Sequence, residues 1–379
     1  MIDLRKVSKT VFINGKFLAQ SLTGVQRYAI ELLQAFDALL ANGAWTAPGP
    51  VVLLVPSQRV QPLPALRHIQ VREIPSSNLH VWEQVHLPWA ARGALLINLA
   101  GSAPLIKLGQ VSTFHDTAVF DVPTSFSTNF VRWYRLLFNA QGRLSRRVLT
   151  VSQFSKERLV HHLGINAAKI AVVHCGADHM RRQPADTEVL SKLGVASGRY
   201  FLAVGSANPN KNFARLIDAF AGLQDPDARL VVVGGSNATV FADSSDAARE
   251  DPRIVREGRL TDDEIKALYS HARVYVFPSI YEGFGLPPVE AMFCDCPVLA
   301  ARAASIPEIC GSGAAFFDPY SVEDIRASMQ RALHDDAWLE ELRRAGSARA
   351  ETFTWHNSAL SLVRTLSDIG AMHPRQARA

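Results

Sequence analysis

Short runs of Val, Leu, Ile and Phe recur along the chain, separated by segments with helical spacing. In the first half they fall at residues 10–14, 51–56, 95–99, 111–115, 147–151 and 170–174; in the second, at 200–205, 230–234, 253–257, 274–277, 297–300 and 315–317. These runs lack the polar alternation of half-exposed strands. Uninterrupted apolar strands are expected where helices cover both faces of a parallel sheet, and strand–helix alternation predicts an α/β fold. Helical spacing marks residues 25–40, 126–147, 157–163 and 358–372. Thr261-Asp262-Asp263-Glu264 has the form of a capping box and predicts a helix over 262–271. Residues 176–198 are polar with little periodicity, which predicts a linker between two domains.

Length agrees with two domains, because 379 residues exceed one ordinary core. The expected division is 1–180, 199–357 and a closing helical segment 358–379. Hydrophobic residues make up 48% of the chain, enough for two cores, yet no run of about 18 apolar residues could form a membrane-spanning helix. Residues 1–9 lack the apolar stretch of a signal peptide. The expected location is cytoplasmic, with a peripheral place on the inner face of the cytoplasmic membrane as the further option. Cys175, Cys294, Cys296 and Cys310 do not form a disulfide framework, and no His or Cys pair gives them zinc spacing. Packing thiols are expected, and no metal. Charge changes the picture more: residues 1–180 carry 18 Lys and Arg against 9 Asp and Glu, and the remainder 22 against 26. A basic first half predicts an anionic partner there: phosphate, acidic lipid or nucleic acid.

The chemistry concentrates after the run at 274–277. Pro278-Ser279-Ile280-Tyr281-Glu282-Gly283-Phe284-Gly285-Leu286-Pro287-Pro288-Val289-Glu290 reads as strand, Gly-rich turn and helix, with a proline suited to the first helical position. Such a turn offers backbone N–H groups and a positive dipole end to a phosphate. Glu282 and Glu290 flank it with seven residues between them, Glu290 being expected in the first helical turn. Carboxylates beside an anion site suit hydroxyls better than phosphate. A ligand with central phosphates and hydroxyl-rich rings at both ends is a nucleotide sugar. Taken alone, each acid reads as a solvated helix-end charge and the glycines as a plain turn.

The run resembles the E-x7-E signature of the retaining glycosyltransferases of family 4, group 1, and especially bacterial polysaccharide-assembly mannosyl- and rhamnosyltransferases. Cys296-Pro297-Val298, Ser305-Ile306-Pro307-Glu308-Ile309-Cys310-Gly311, Ala203-Val204-Gly205-Ser206 and Asn210-Lys211-Asn212 fit the same family. So do Thr23-Gly24-Val25-Gln26-Arg27-Tyr28, Trp82-Glu83-Gln84 with Leu87-Pro88, Phe114-His115-Asp116 and Val151-Ser152-Gln153-Phe154-Ser155-Lys156. The resemblance implies the GT-B fold, two Rossmann-like domains facing across a cleft, with a C-terminal helix crossing back to the first. It implies a metal-independent hexosyltransferase with no cofactor beyond its nucleotide-sugar substrate. Glu290 is then the ribose ligand, and Glu282, His115 and Lys211 the catalytic candidates. Donor contacts are expected from Gly24, Ser206, Asn208, Lys211, Arg259, Leu260, Gly283, Phe284, Gly285, Leu286 and Glu290. The chain departs from the family where an Arg usually precedes the lysine: Ser206, Asn208 and Asn210 stand there instead. Asparagine hydrogen bonds, Arg27 or Arg302 are the candidate replacements. Asp295 stands where the family usually has Gly.

The implied reaction transfers a hexose, with GDP-mannose as first donor, to a lipid-linked saccharide in exopolysaccharide or lipopolysaccharide assembly. Residues 126–147 mix Phe126, Phe130, Trp133, Tyr134, Leu137 and Phe138 with Arg132, Arg135, Arg143, Arg146 and Arg147. A basic, aromatic helix of this kind can lie on anionic lipid; one apolar face in the core with solvated arginines opposite is the other reading. A GT-B sugar synthase or phosphorylase with a soluble acceptor would share both acids. A non-catalytic sugar- or nucleotide-binding protein would not need Lys211. No recognition motif supports nucleic acid, no G-x-S-x-G elbow a hydrolase, and no G-x-G-x-x-G after a first strand a dehydrogenase.

Overall fold

The structure, a computed structural model, describes residues 10–206, 208–234 and 250–374. The chain divides into two compact units, Met1–Gly176 with Trp355–Ala379, and Ala177–Thr354. Each is an open parallel sheet covered by helices.

The first unit contains seven parallel strands, β1 (Val11–Asn14), β2 (Val51–Pro56), β3 (Gln70–Ile74), β4 (Leu95–Asn98), β5 (Gln110–Phe114), β6 (Ser145–Thr150) and β7 (Ile170–Val172). Their order across the sheet is β3-β2-β1-β4-β5-β6-β7. β1, β2, β4 and β5 are buried along their whole length; β1, β2 and β4 accordingly read as apolar runs, while β5 buries the polar side chains of Gln110, Ser112 and Thr113. The edge strand β3 is mostly exposed and was not among the expected strands, because Gln70, Arg72 and Glu73 break any apolar run. The helix Gly24–Ala41 packs along Trp355–Ser367, and the ring of Tyr28 meets that of Trp355 edge-on at 6.0 Å. Buried Asp37 closes the far end of that first helix. Its carboxylate accepts from the backbone N–H groups of Arg67, His68 and Ile69 at 2.7 to 2.9 Å.

The second unit contains six parallel strands, β8 (Tyr200–Val204), β9 (Arg229–Val233), β10 (Ile254–Glu257), β11 (Val274–Phe277), β12 (Val298–Ala301) and β13 (Ala314–Phe317), in the order β10-β9-β8-β11-β12-β13. That is the doubly wound order of dinucleotide-binding sheets. Residues 177–198, expected as a linker from their polarity, belong to this unit and form the short helices His179–Arg182 and Glu188–Lys192. The four cysteines are buried thiols, and burial pushes those of Cys294 and Cys310 up to about 12. Asp295 adopts a positive φ of 55°, which explains why glycine suits that position, and its carboxylate accepts from Ser347 Oγ at 2.6 Å.

One glycine is fixed by both conformation and space. Gly234 ends β9 with φ of 84°, and a Cβ there would sit 2.5 Å from the carbonyl oxygen of Gly205 at the end of β8. Gly234→Ala is therefore expected to lower the unfolding free energy by more than about 1 kcal/mol, since native φ and space both exclude the side chain. Denaturant melts check this, with Gly194→Ala, at φ of 64° in open space, as the comparison that costs only backbone strain.

Candidate active site

β8 and β11 are neighbours, yet β8 continues to β9 on one side and β11 to β12 on the other. This is the topological switch point, where open α/β sheets take their ligands at the carboxyl ends of the strands. The pairing of Val274 with Phe201 and Tyr275 with Leu202 makes the loops after both strands emerge side by side.

Those loops are stitched together. Asn208 caps the turn Pro209–Lys211. Asn210 Nδ2 donates to the Tyr281 carbonyl at 3.0 Å, and Ile280 N–H donates to the Asn210 carbonyl at 2.9 Å. Asn212, held at a φ of 59°, donates from Nδ2 to the carbonyls of Pro278 and Pro319 at 3.1 and 2.7 Å. The stitching delivers Lys211 to Glu282: Nζ lies 2.5 Å from Oε1, which also accepts from Ser279 Oγ at 2.7 Å. Ser305 Oγ holds the Glu282 carbonyl at 2.9 Å. Two of the asparagines in the stretch where the family carries an arginine thus serve the scaffold. Arg302 stacks on Phe316 with its guanidinium 5.1 Å from the ring centroid.

The Gly-rich turn follows. Gly285 has φ of 86° and leads into the helix Leu286–Phe293. The Phe284 ring is buried edge-on against Phe353 at 5.4 Å, so the side chain anchors the turn while its backbone shapes it. Leu286 is the first helical residue, so Pro287 and Pro288 stand at the second and third positions and contribute no N–H. Glu290 is fifth and begins the second turn, rather than lying in the first as the sequence predicts. Its Oε1 faces His179 Nε2 at 3.2 Å. Ser206 is exposed after β8; exposed Arg259 and half-buried Leu260 lie between β10 and the helix Asp262–His271, whose Thr261–Glu264 capping box is present.

In the first unit, Gly24 opens the helix Gly24–Ala41, and beyond its chain neighbours and its own helix backbone no described atom lies within 4 Å of a Cβ built on it. His115 follows β5. Its ring meets Tyr28, one turn beyond Gly24, edge-on at 4.9 Å, and its Nε2 lies 2.9 Å from the Leu99 carbonyl. Burial holds the imidazole down at about 4 against the opposing effect of that carbonyl bond. The ring is therefore neutral near pH 7, donates from Nε2, and keeps the Nδ1 lone pair as an acceptor.

Sequence reasoning missed His179, Ser279 and Ser305. His179 lay in the stretch read as linker, and Ser279 and Ser305, though inside quoted motif blocks, were given no role there. Among the described residues no group of three His, Cys, Asp or Glu side chains is placed to hold a metal ion, and no helix is long and apolar enough to cross a membrane.

Comparison with known proteins gives the family and the fold. Residues 190–352 match the family described as glycosyl transferases group 1, and residues 22–181 match glycosyltransferase family 4. The chain is 32% identical over 262 residues to O-antigen chain mannosyltransferase B of Escherichia coli, covering 67% of this chain and 68% of that protein. It is 36% identical over 232 residues to the serotype-specific mannosyltransferase WbdA of Escherichia coli, covering 59% of this chain but 27% of that longer protein. In fold it is similar to HepE of Anabaena, solved with UDP-glucose, with a TM-score of 0.72 at 18% identity over 95% of this chain and 99% of that one. With the paired parallel sheets, these matches establish that the chain belongs to the group 1 glycosyltransferases of family 4 and has the GT-B fold.

Proposed function

We propose that the enzyme moves a hexose, mannose from GDP-mannose in the first instance, to a hydroxyl of a lipid-linked saccharide with retention of anomeric configuration. The observation that carries this reading is the Lys211–Glu282–Ser279 cluster at the switch point of the second sheet. A cation with backbone N–H groups beside it suits a departing diphosphate, the step that gains most from electrostatic stabilisation. Glu282 then accepts from the sugar hydroxyls and offsets positive charge developing at the anomeric carbon. Glu290 takes the ribose hydroxyls, with buried His179 orienting its carboxylate. Gly283, Phe284, Gly285 and Leu286 supply backbone groups to the sugar and distal phosphate. Ser206 and Asn208 line the phosphate side, and Arg259 and Leu260 the nucleoside side. In the first unit, Gly24 at a helix N-terminus and His115, with Nδ1 as an acceptor, are the further donor-side candidates that the family resemblance implies. The leaving phosphate accepts the proton of the incoming hydroxyl on the same face, and this reading requires no metal ion. The mannosyltransferase relatives support mannose as the sugar and a growing polysaccharide as the acceptor.

A lipid-linked acceptor is supported by the surface of the first unit. The helix Thr128–Leu144 buries Val131, Leu137 and Phe138 and exposes Phe130, Trp133 and Leu136 beside Arg132, Arg135 and Arg143. Val85, Trp89 and Ile106 add apolar surface, with Trp89 75% and Ile106 91% exposed. The loop Ala103–Leu105 joins these segments, accepting from Gln141 and Gln84 at 3.3 and 3.2 Å. From residue 75 to 156 the chain carries eight Lys and Arg against three acids, one of them the buried Glu83. A basic surface with exposed aromatics suits an anionic bilayer.

Four outcomes test the reading. Thermal shift against GDP, UDP, dTDP, ADP and NAD is expected to show stabilisation by a sugar-nucleotide diphosphate, GDP first; a shift with NAD alone, or with none, overturns it. Lys211→Met is expected to lower kcat by about 100- to 1,000-fold, the scale of losing one electrostatic stabiliser. Glu290→Ala should weaken nucleotide binding by about 10-fold or more, the scale of a hydrogen bond to a charged group. Replacing Arg132, Arg135 and Arg143 together by Ala, or Trp89 and Ile106 by Asp, should reduce flotation with anionic vesicles while nucleotide binding persists; unchanged flotation in both variants sinks the membrane reading.

A further inference from the structure

A buried polar network lies at the switch point of the first sheet, and no step of the proposed reaction uses it. Lys16, just beyond β1, places Nζ 2.6 Å from Glu83 Oε2. Glu83 is 2% exposed and sits on the wide π-type turn Trp82–His86. Its other oxygen accepts from Ser102 Oγ at 2.6 Å and lies 3.5 Å from Asn14 Nδ2. Asn14 also donates to Asn98 Oδ1 at 3.0 Å, joining the ends of β1 and β4. A buried ion pair of this kind is weak evidence for stability, because well-packed apolar residues often do as well. Its value lies in what it orders.

What it orders is the loop leaving β4. Ser102 belongs to that loop, as does Leu99, whose carbonyl receives Nε2 of His115. Gly101, between them, has φ of 75°, and a Cβ there would lie 3.6 Å from the His115 ring. The next residue, Gln84, holds the same loop through Ala103 and Leu105 at 3.2 and 2.8 Å. The loop has little regular secondary structure of its own, so the aim of the Leu99 carbonyl depends on these side chains.

We propose that the Lys16–Glu83 ion pair, with Ser102, is a positioning device for His115: it fixes the loop after β4 so that the Leu99 carbonyl holds the Nε2–H tautomer and leaves Nδ1 as the hydrogen-bond acceptor. The catalytic consequence rests on the reading of His115 as a donor-sugar residue; the effect on the imidazole does not, and is measured without substrate. Two ionisable side chains stand close in chain or space. Tyr28, from the helix Gly24–Ala41, meets the ring, and its burial raises the phenol so that it stays neutral. Asp116 follows in the chain, and its carboxylate accepts from Ala118 N–H at 2.8 Å.

The test is a titration of the His115 ring by NMR in the intact protein. In the native chain the imidazole is expected to titrate near 4 rather than at the ordinary 6.5. Between those values the unfolded chain binds a proton that the folded one does not, so stability falls as pH drops from 6.5 towards 4. Glu83→Gln and the gentler Ser102→Ala, which leaves the ion pair intact, are each expected to loosen the Leu99 carbonyl from Nε2; that bond is what raises the imidazole against its burial, so the His115 midpoint should fall and the ring nitrogens should lose the pure Nε2–H signature. The acid limb of the pH–rate profile should move down with it. Asp37→Asn, which weakens an unrelated buried carboxylate contact in the same unit, should lower stability and leave the His115 midpoint where it was. A Ser102→Ala protein that folds and titrates as the native one does overturns the proposal. So does an equal shift in Asp37→Asn, which would assign the effect to general loosening. A shifted midpoint in a protein without transferase activity keeps the positioning role and rejects the reading of the reaction instead.

Discussion

The site in the second unit depends on the stitching of two loops by asparagine side chains. Parallel strands emit their connections on the same side of the sheet, and at the switch point those connections diverge, leaving backbone groups without ladder partners. Asn210 and Asn212 reach across that gap to the carbonyls of Tyr281 and Pro278, and the Asn210 carbonyl receives Ile280 N–H. Each bond satisfies a group that the sheet leaves open. Together they bring Lys211 to Glu282 and hold the loop that enters the glycine turn. Asn212 can do this at φ of 59° because asparagine tolerates the left-handed region better than most side chains.

The first unit meets the same topological problem with charge. Where β1 and β4 diverge, Asn14 and Asn98 join the strand ends, and Lys16 and Glu83 close the gap in front of them. Asparagines occur at both switch points, but their roles differ. In the second unit they form the frame around an accessible ion pair. In the first they back an ion pair that is itself part of the frame, beside the neutral His115.

Much of this was legible in the sequence, and its physical basis explains where legibility stopped. The central strands announced themselves because burial on both faces favours Val, Leu, Ile and Phe. β3 stayed hidden because an edge strand needs no such run. The capping box at Thr261 and the glycine turn at Gly285 were visible because both are local, the first set by a spacing of three and the second by a positive φ. The partner of Glu290 was not visible. His179 is 111 residues away in a segment with little periodicity, and only the folded chain brings it to 3.2 Å. Ser305 reaches the Glu282 carbonyl over a separation of 23 residues with no motif of its own for that contact. Motifs that shape the backbone are written locally; the side chains that orient a carboxylate are recruited from wherever the fold passes.

The two ion pairs also differ in a way that matches their places. The side chains of Lys16 and Glu83 are 10% and 3% exposed, while those of Lys211 and Glu282 are 17% and 15% exposed. Removing one partner of a deeply buried pair leaves an uncompensated charge in low dielectric, which is strongly destabilising. Loss of the first pair is therefore costly, as a frame requires. The second has more access to solvent, and its lysine can exchange a carboxylate for a phosphate without passing through an unpaired buried charge. Depth of burial thus separates a cation that holds the architecture from one that can change partners, and only the second is suited to meet a leaving group.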